Sequence, residues 1–285
     1  MANLKKIRQR IRTTKNIRQI TKAMKLVAAA RLTKAKIRAE EARPYSDKMR
    51  EFVGSIGESG GSSENPLLTH REVKKTCLVL MTSERGLCGS FNSLLIRRAG
   101  EFLETLDGDV SLIGVGKKGA QFFGKRGREI VHQMTLPTAG PTLDDAVELT
   151  DRVSSMFIDG EADAIYVCYS KYYSPIRQEP QVVKVLPIEP PSGSEGGGSA
   201  EYEFEPEPDA LLGLLLPKYL LTVVFQAMLE SSASEHGARM TAMTSATDNA
   251  GKMIDDLTLT ANRARQAGIT TEILEIVAGA EALKQ

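Results

Sequence analysis

Three glycines that follow a predicted strand match a motif used to bind dinucleotides. Gly114, Gly116 and Gly119 have the spacing GxGxxG, which brings backbone amides at a helix N-terminus to a pyrophosphate. Such a fold also uses an acidic residue about twenty positions further on, which binds the ribose hydroxyl. Residues 133–143 contain no Asp or Glu, and the motif follows the second predicted strand instead of the first. We therefore interpret the glycines as a tight strand–helix turn and keep a dinucleotide-dependent enzyme as an alternative.

A second glycine-rich segment, SERGLCGS at residues 83–90, follows the first predicted strand, where open α/β sheets bind ligands. It lacks the GK[ST] ending of a phosphate-binding loop. Cys88 lies near Arg85, but a small buried side chain is favoured over a reactive thiolate. The other Cys and His residues have no metal-ligand or catalytic spacing; they are Cys77, Cys168, His70, His132 and His236. The sequence therefore predicts no catalytic site, no metal site and no cofactor.

Positive charge is concentrated at the N-terminal end of the chain. Residues 1–39 contain thirteen Lys or Arg and no acidic residue, whereas the net charge of all 285 residues is only +1. Residues 209–285 carry a net charge of −3, which is too small to neutralise this segment. The segment must therefore face a polyanion or an acidic enclosure. Nucleic acid is one such polyanion, so a nucleic-acid-binding protein stays open as an alternative, although no aromatic residues interleave with the charges for base stacking.

The elements that must carry these residues begin with one long N-terminal helix. Residues 4–43 contain no Gly or Pro. Their apolar and small residues recur with a mean spacing near 3.5, which is typical of a left-handed coiled coil. This stripe consists of Leu4, Ile7, Ile11, Thr14, Ile17, Thr21, Met24, Ala28, Leu32 and Ala35. The helix would be roughly 60–75 Å long, and Pro44 is expected to kink it or end its first segment.

The C-terminal end has the same character. Residues 218–283 contain no Pro and can form one helix of about 100 Å. Its predicted seam is made of small residues, namely Ile254, Leu257, Ala261, Ala264, Gly268, Thr271 and Ala278. A second stripe consists of Ile269, Ile273, Ile276, Ala280 and Leu283. Because helices of this length cannot bury themselves in a small domain, we expect the two ends to pair as an antiparallel coiled coil, with the rest of the chain inserted between them.

The middle of the chain alternates short apolar runs with helical patterns. Strands are predicted at residues 76–82, 110–115, 129–134, 164–169 and 181–187, and helices at 91–106, 117–125 and 144–157. This alternation predicts a Rossmann-like α/β domain with a largely parallel sheet. The predicted domains are an N-terminal helix at 1–56, the α/β domain at 70–190, a Gly-rich linker with an acidic, aromatic segment at 191–208, and a C-terminal helix at 209–285. A further break is expected at residues 54–65.

Residues 210–229 are apolar over about the length of a membrane span. Pro217 and Lys218 lie near the middle of this stretch, and a central Lys costs roughly 2.5–3.5 kcal/mol on insertion into a bilayer. We therefore predict a buried helix and no direct membrane span.

Three segments closely resemble the gamma subunit of the F-type ATP synthase. They are IRQITKAMKLVAAA at residues 17–30, SERGLCG at 83–89 and MIDDLTLTANRARQAGIT at 253–270. The resemblance covers essentially the whole chain and preserves the order of the motifs. It implies a coiled coil that passes through the hexamer of alpha and beta subunits, with the inserted domain below, against the epsilon subunit and the c-subunit membrane ring. It also implies a non-catalytic central rotor shaft at the cytoplasmic face of the bacterial plasma membrane, and no nucleic acid partner.

The resemblance further implies a set of partner-contact residues. Those facing the alpha and beta hexamer are Met24, Arg239, Arg265, Gln266, Thr270 and Glu272. Tyr202 and Glu205 match the foot segment that contacts the membrane ring, although the preceding Gly-rich linker departs from the usual sequence. The chloroplast form carries an additional cysteine pair for thiol regulation. Because this chain has no comparable pair, redox switching is expected to be absent.

Overall fold

The fold is described by a computed structural model over residues 2–58, 65–189 and 208–282. Within these ranges the helices are α1 (Ala2–Glu58), α2 (Phe91–Leu103), α3 (Lys117–Gly124), α4 (Leu143–Ile158) and α5 (Pro208–Ala282), with a 3-10 turn at Pro66–Leu68. The strands are β1 (Lys75–Met81), β2 (Asp109–Val115), β3 (Ile130–Met134), β4 (Ala164–Tyr172) and β5 (Gln178–Leu186). The five predicted strands and three predicted central helices are thus confirmed, with ends that differ by at most three residues.

The chain divides into two compact units. One unit comprises residues 28–239, and the other comprises residues 1–27 together with 240–285. The helices α1 and α5 each contribute to both units.

The unit at 28–239 is built on a single five-stranded sheet with the order β3-β2-β1-β4-β5. The first four strands in this order are parallel, and β5 is antiparallel to β4. In the register, Val79 of β1 lies between Ile113 of β2 and Val167 of β4. The helices α2, α3 and α4 supply the crossovers that parallel neighbours require. The prediction of a largely parallel α/β sheet is confirmed.

Side chains alternate between two hydrophobic cores, one on each face of the sheet. Cys77, Val79 and Met81 of β1 lie in one core, together with buried residues of α4 and of the α1 and α5 segments in this unit. Leu78 and Leu80 lie in the other core, against α2 and α3. This period-2 pattern within a run that is apolar throughout is expected for a parallel strand covered by helices on both faces.

Two prolines lie inside the long helices. Of the two outcomes expected at Pro44, a kink or the end of a first segment, the second does not occur, because α1 continues to Glu58. The helix thereby also covers residues 54–58, where a break was expected. A proline inside a helix costs about 3 kcal/mol, but Met49, Val53 and Ile56 beyond it are buried in the core. Burying each such side chain is worth about 1.5–3 kcal/mol, which offsets that cost. The helix α5 likewise includes Pro217 and begins at Pro208.

Among the described residues, one helical stretch, within 210–280, is long and apolar enough to cross a membrane by length and composition. Leu212, Leu216, Leu220 and Val224 of this stretch are buried in the sheet core. Their burial accounts for the apolar character of these turns, and the absence of a membrane span stays a prediction.

In the second unit, the N-terminal part of α1 and the C-terminal part of α5 run antiparallel. The Thr14 hydroxyl lies 3.8 Å from the Met253 sulfur, and the Thr247 hydroxyl donates a 2.9 Å hydrogen bond to the Thr21 hydroxyl oxygen. Residue numbers therefore rise along one helix as they fall along the other. We call the paired segments, residues 4–27 and 240–264, the terminal coil. The predicted antiparallel pairing is confirmed.

The seam of the terminal coil differs from the predicted stripe at one position. Ile17 is 48% exposed, whereas Thr14 and Thr21 are buried. The Arg18 guanidinium instead lies 3.7 Å from the point that a Cβ on Gly251 would occupy. Because Gly251 has no side chain, the long Arg18 side chain can cross the partner helix there. Arg18 is itself exposed, so only the end of its side chain contacts the partner helix, and the assignment of Ile17 to a buried seam was wrong.

The C-terminal half of the predicted α5 seam has no packing partner within this unit. Gly268, Thr271 and Ala278 are exposed, and so is every side chain of residues 265–280. The register places Met253 opposite Thr14, so the start of α1 is reached near residue 265. The prediction that the seam continues to Ala278 was therefore wrong for the chain by itself.

Candidate functional site

The space around the glycine motif after β2 is occupied by other atoms of the same chain. A Cβ on Gly116 would overlap the Thr82 carbonyl oxygen, and its φ of +88° also favours glycine. A Cβ on Gly119 would come within 2.7 Å of the Leu80 side chain. The first amides of α3 are occupied as well, because Lys118 N–H donates to the Ser83 carbonyl and Gly119 N–H donates to the Thr82 hydroxyl at 2.8 Å. The geometry supports the interpretation of a tight turn, with these two amides already bonded.

The segment after β1, residues 83–88, forms a tightly hydrogen-bonded loop, which we call the β1–α2 loop. Ser83 is fully buried, and its hydroxyl donates to the Arg85 carbonyl at 2.6 Å. The side chain of Asn92, the second residue of α2, accepts from the Ser83 amide at 3.0 Å and lies 3.2 Å from the Cys88 sulfur. Cys88 is therefore a buried packing residue of this loop, as the sequence favoured.

The tip of the β1–α2 loop is exposed and conformationally unusual. Leu87 has a φ of +64° and is 65% exposed. Among the residues that the structure describes, it is the one non-glycine residue with a positive φ. A bulky residue in this region is a genuine outlier, and such outliers persist only where their surroundings hold them.

Arg239 of α5 contacts this loop from inside the same unit. Its Nη2 atom lies 3.3 Å from the Arg85 carbonyl oxygen and 3.4 Å from the Gly86 carbonyl oxygen. Its Nη1 atom forms a 2.6 Å ion pair with Glu235, one helical turn earlier. The Arg239 side chain is only 12% exposed, so most of its donors are used within the chain.

The groups around Arg239 have shifted pKa values. Burial raises the pKa of Glu235, and the neighbouring Arg239 opposes this shift. Burial lowers the pKa of His236 to about 4, and the positive charges of Arg239 and Arg31 lower it further. The Nδ1 atom of His236 lies 3.4 Å from Arg239 Nη1. A neutral histidine is thus favoured beside the guanidinium at neutral pH.

The other candidate residues named from the sequence, which are the remaining cysteines and histidines, form no reactive arrangement in the described part of the chain. Burial raises the pKa of the Cys77 thiol to about 11 and that of the Cys168 thiol to about 12, which makes both thiols unreactive. Within residues 2–58, 65–189 and 208–282, no three His, Cys, Asp or Glu side chains are grouped so as to hold a metal ion.

The basic face of the terminal coil forms no salt bridges with the residues that the structure describes. Eight Lys and Arg side chains of α1 are exposed there, namely Lys5, Lys6, Arg8, Arg10, Arg12, Lys15, Arg18 and Lys22. In the described parts of the chain, the first salt bridge formed by an α1 residue is that of Lys36 with Glu40. The facing segment of α5, residues 240–264, contains three acidic and two basic residues. The coil therefore presents a positive surface to whatever surrounds it.

The predicted hexamer contacts occupy separate regions of the structure. Met24 is half-buried in the terminal coil, while Arg265, Gln266, Thr270 and Glu272 are exposed beyond its end. With Thr21 opposite Thr247, Met24 lies opposite about residue 244, so it is roughly 30 Å along the axis from Arg265. The structure thus does not bring Met24 and this group together.

Tyr202 and Glu205 lie outside the described residues. Sequence reasoning missed the outward-facing Leu87 and the pairing of Arg239 with Glu235. The i, i+4 spacing of Glu235 and Arg239 and the glycines on either side of Leu87 were the available signals.

Sequence comparison decides the family. The profile of the family described as ATP synthase matches residues 3–283. The ATP synthase gamma chain of Moorella thermoacetica is 46% identical over 284 residues and covers 100% of both chains. The gamma chain of Halothermothrix orenii is 43% identical over 288 residues, again covering 100% of both chains. This chain belongs to the ATP synthase gamma chain family. As a gamma-type chain, it is a subunit of a membrane-associated complex.

Solved structures share the gamma-chain fold. A chain of the Euglena gracilis mitochondrial ATP synthase, from a structure of OSCP, F1 and c-ring in rotational state 3, aligns with a TM-score of 0.71 at 18% identity. The alignment covers 99% of this gamma chain and 95% of that chain. A chain of the Tetrahymena thermophila mitochondrial central stalk and c-ring aligns with a TM-score of 0.61 at 24% identity, covering 80% of this chain and 99% of that one. The predicted fold class, an α/β domain between two long terminal helices, is confirmed.

Proposed function

We propose that this chain is the central rotor shaft of an F-type ATP synthase, and that it is not itself catalytic. In this role it couples ion flow through a membrane ring to ATP synthesis or hydrolysis at a hexamer of alpha and beta subunits. The observation that carries the proposal is the terminal coil, whose eight exposed basic side chains on α1 form no salt bridge with the described residues. A rod of this charge fits an acidic enclosure.

The proposed mechanism of the shaft depends on the difference in charge between the two sides of the terminal coil. One side of the terminal coil is the basic α1, and the other is the weakly acidic α5 segment. Three catalytic sites arranged around such a rod meet different surfaces at any moment. A ligand that binds alternative conformations unequally shifts their populations, so rotation of the rod would drive each site through its conformations in turn. A pair of packed helices resists twisting better than a single helix, which suits the transmission of torque.

The proposed contacts follow the family resemblance. Met24, Arg265, Gln266, Thr270 and Glu272 are proposed to contact the alpha and beta subunits directly. Their exposed or half-exposed positions on the terminal coil and on the single helix beyond it support this assignment. We assign Arg239 to the same function through the β1–α2 loop, because its own guanidinium is engaged within the chain.

The segments outside the terminal coil are proposed to bind the remaining partners. The domain predicted at residues 70–190 would contact the epsilon subunit, and Tyr202 and Glu205 in the 191–208 segment would contact the c-subunit ring. Residues 1–56 and 209–285 would supply the two helices of the shaft. The complex would lie at the cytoplasmic face of a bacterial plasma membrane, and the chain itself would bind no nucleic acid.

Reconstitution tests this proposal. Alpha and beta chains of the same organism would be purified with and without this chain, and ATP hydrolysis would be measured at 50 and 300 mM salt. We expect co-purification of all three chains and sustained ATP hydrolysis only when this chain is present. A chain that neither co-purifies with alpha and beta nor changes their ATPase rate would contradict the proposal. Binding of the chain to duplex DNA at physiological salt, weakening as the salt concentration is raised, would instead favour the nucleic-acid alternative.

A further inference from the structure

Leu87 at the tip of the β1–α2 loop combines an unfavourable backbone conformation with an exposed side chain. An exposed Leu87 at φ +64° gains little burial in return for its conformation. For an L-residue the left-handed region is disfavoured by an amount equivalent to roughly 5- to 30-fold in population. Something in the surroundings must therefore hold the loop in this form.

Arg239 and Glu235 have the geometry to hold it. A single guanidinium nitrogen, Nη2, lies within hydrogen-bond distance of the two carbonyls that precede Leu87, those of Arg85 and Gly86. The other nitrogen, Nη1, is held by Glu235 at 2.6 Å. Both side chains project from α5, which is helical throughout this region. The contact therefore ties the loop tip to a rigid element 150 residues away in sequence.

We propose that Glu235 and Arg239 act as a latch that fixes the β1–α2 loop and presents Leu87 outward. Arg239 is then a positioning residue, which acts through the loop backbone. The base of the loop is held by Ser83 and Asn92, and Asn92 also lies 3.2 Å from the Cys88 sulfur. Loss of the latch is therefore expected to loosen the segment from the tip as far as Cys88. The step from latch to coupling rests on the proposed rotor function, in which this exposed tip would contact the hexamer.

A thiol probe can measure opening of the latch. Cys88 directly follows Leu87 and is 2% exposed, while Cys77 and Cys168 are fully buried within the central strands β1 and β4. Opening of the loop would expose the Cys88 thiol and leave the other two buried. The rate of maleimide labelling at Cys88, resolved by peptide mass spectrometry on the full-length chain, therefore reports the loop, and the other two thiols report general unfolding.

Arg239→Met is the main variant, because it keeps most of the unbranched part of the side chain and removes its charge and donors. We expect about tenfold faster labelling at Cys88, equivalent to about 1.4 kcal/mol, and unchanged labelling at Cys77 and Cys168. Arg239→Lys retains the ion pair and loses the forked donor, so a smaller acceleration of two- to fivefold is expected. Arg177→Met removes an exposed arginine paired with Glu179 elsewhere in the same unit, and this control should label at the wild-type rate.

Rescue distinguishes a latch from a general stabilising contact. Leu87→Gly removes the conformational penalty at φ +64°, so it should slow Cys88 labelling by itself. Combined with Arg239→Met, it should return labelling to within about threefold of the wild-type rate. Labelling at Cys88 that is unchanged in both Arg239 variants overturns the proposal. Equal acceleration at all three cysteines in Arg239→Lys, or failure of Leu87→Gly to rescue, also overturns it.

Activity is measured separately, so that the two proposals can fail independently. Wild-type chain that does not support ATP hydrolysis by alpha and beta would refute the rotor function and leave the thiol result standing. If the rotor function holds and the latch operates, Arg239→Met should assemble normally and show a two- to tenfold lower turnover, with Leu87→Gly restoring part of it. Normal turnover of Arg239→Met, despite faster Cys88 labelling, would show that the latch has no part in coupling.

Discussion

His236 should make the stability of the α/β unit depend on pH in a calculable way. Its pKa is lowered from 6.5 to about 4 by burial and by the charges of Arg239 and Arg31, so the folded chain binds fewer protons than the unfolded chain in this window. The free energy of unfolding is therefore highest above pH 6.5 and falls as the pH drops towards 4. A shift of this size corresponds to at most about 3 kcal/mol, of which about 2 kcal/mol should be lost between pH 7.5 and pH 4.5.

The matched variant is His236→Asn, which keeps an acceptor near the Nδ1 position beside Arg239 and cannot be protonated. Carboxylates with lowered pKa values, such as Asp163 and Glu189, also reduce stability on acidification, and they do so in both proteins. The quantity of interest is therefore the difference between wild type and variant at each pH. The variant should be less stable at pH 7.5, and the difference should shrink or reverse by about 2 kcal/mol at pH 4.5.

Tyrosine fluorescence in urea titrations provides the assay. The chain has no Trp, and its seven Tyr residues all lie between Tyr45 and Tyr219; the six that the structure describes lie within the unit at 28–239. The signal therefore follows this unit and not the terminal coil. A stability difference between the two proteins that stays constant from pH 7.5 to pH 4.5 would refute the reasoning, because it would show that His236 has the same pKa in the folded and unfolded chain.

Three other predictions concern the shaft and the sheet. Met24→Lys should leave the chain folded but lower the number of protons pumped per ATP hydrolysed in reconstituted vesicles, and unchanged pumping would remove Met24 from the proposed contacts. Arg265→Ala and Gln266→Ala should each reduce ATP turnover without preventing assembly, and wild-type turnover in both would contradict their assignment. Gly116→Ala should cost about 2–4 kcal/mol of unfolding free energy, because the new Cβ meets the Thr82 carbonyl at a positive φ. Gly100→Ala in α2, with open space around it, is the matched control and should be neutral or stabilising by up to about 1 kcal/mol in thermal and urea unfolding.

Elements whose signal is local were predictable from the sequence. The long helices follow from residue type and period over tens of positions, and the buried strands follow from short apolar runs between turn residues. The role of Gly116 could be inferred in part, because the missing acidic residue counted against a dinucleotide site. Whether the helix is interrupted at Pro44 could not be decided from the sequence, because the burial of Met49, Val53 and Ile56 is a tertiary effect that outweighs a local signal.

Some features of the candidate site were likewise predictable from the sequence, and others were not. A basic segment without acids is visible in the composition, and the family motifs identify the residues that the hexamer is proposed to contact. The Glu235–Arg239 contact with the β1–α2 loop joins residues about 150 positions apart. No local pattern specifies such a contact, because it depends on where α5 crosses the carboxyl end of the sheet.

By itself, the sequence determined the secondary structure, the pairing of the two ends and the unbalanced charge, since each depends on residue type and spacing along the chain. Only the tertiary structure decided the register that sets Thr14 beside Met253, the turning outward of Ile17 and the internal bonding of Arg239. The hydrophobic period of a helix repeats at every turn, so the same pattern is compatible with several registers between the two helices. The choice among them is made by particular side chains in contact, such as Arg18 crossing the bare backbone of Gly251.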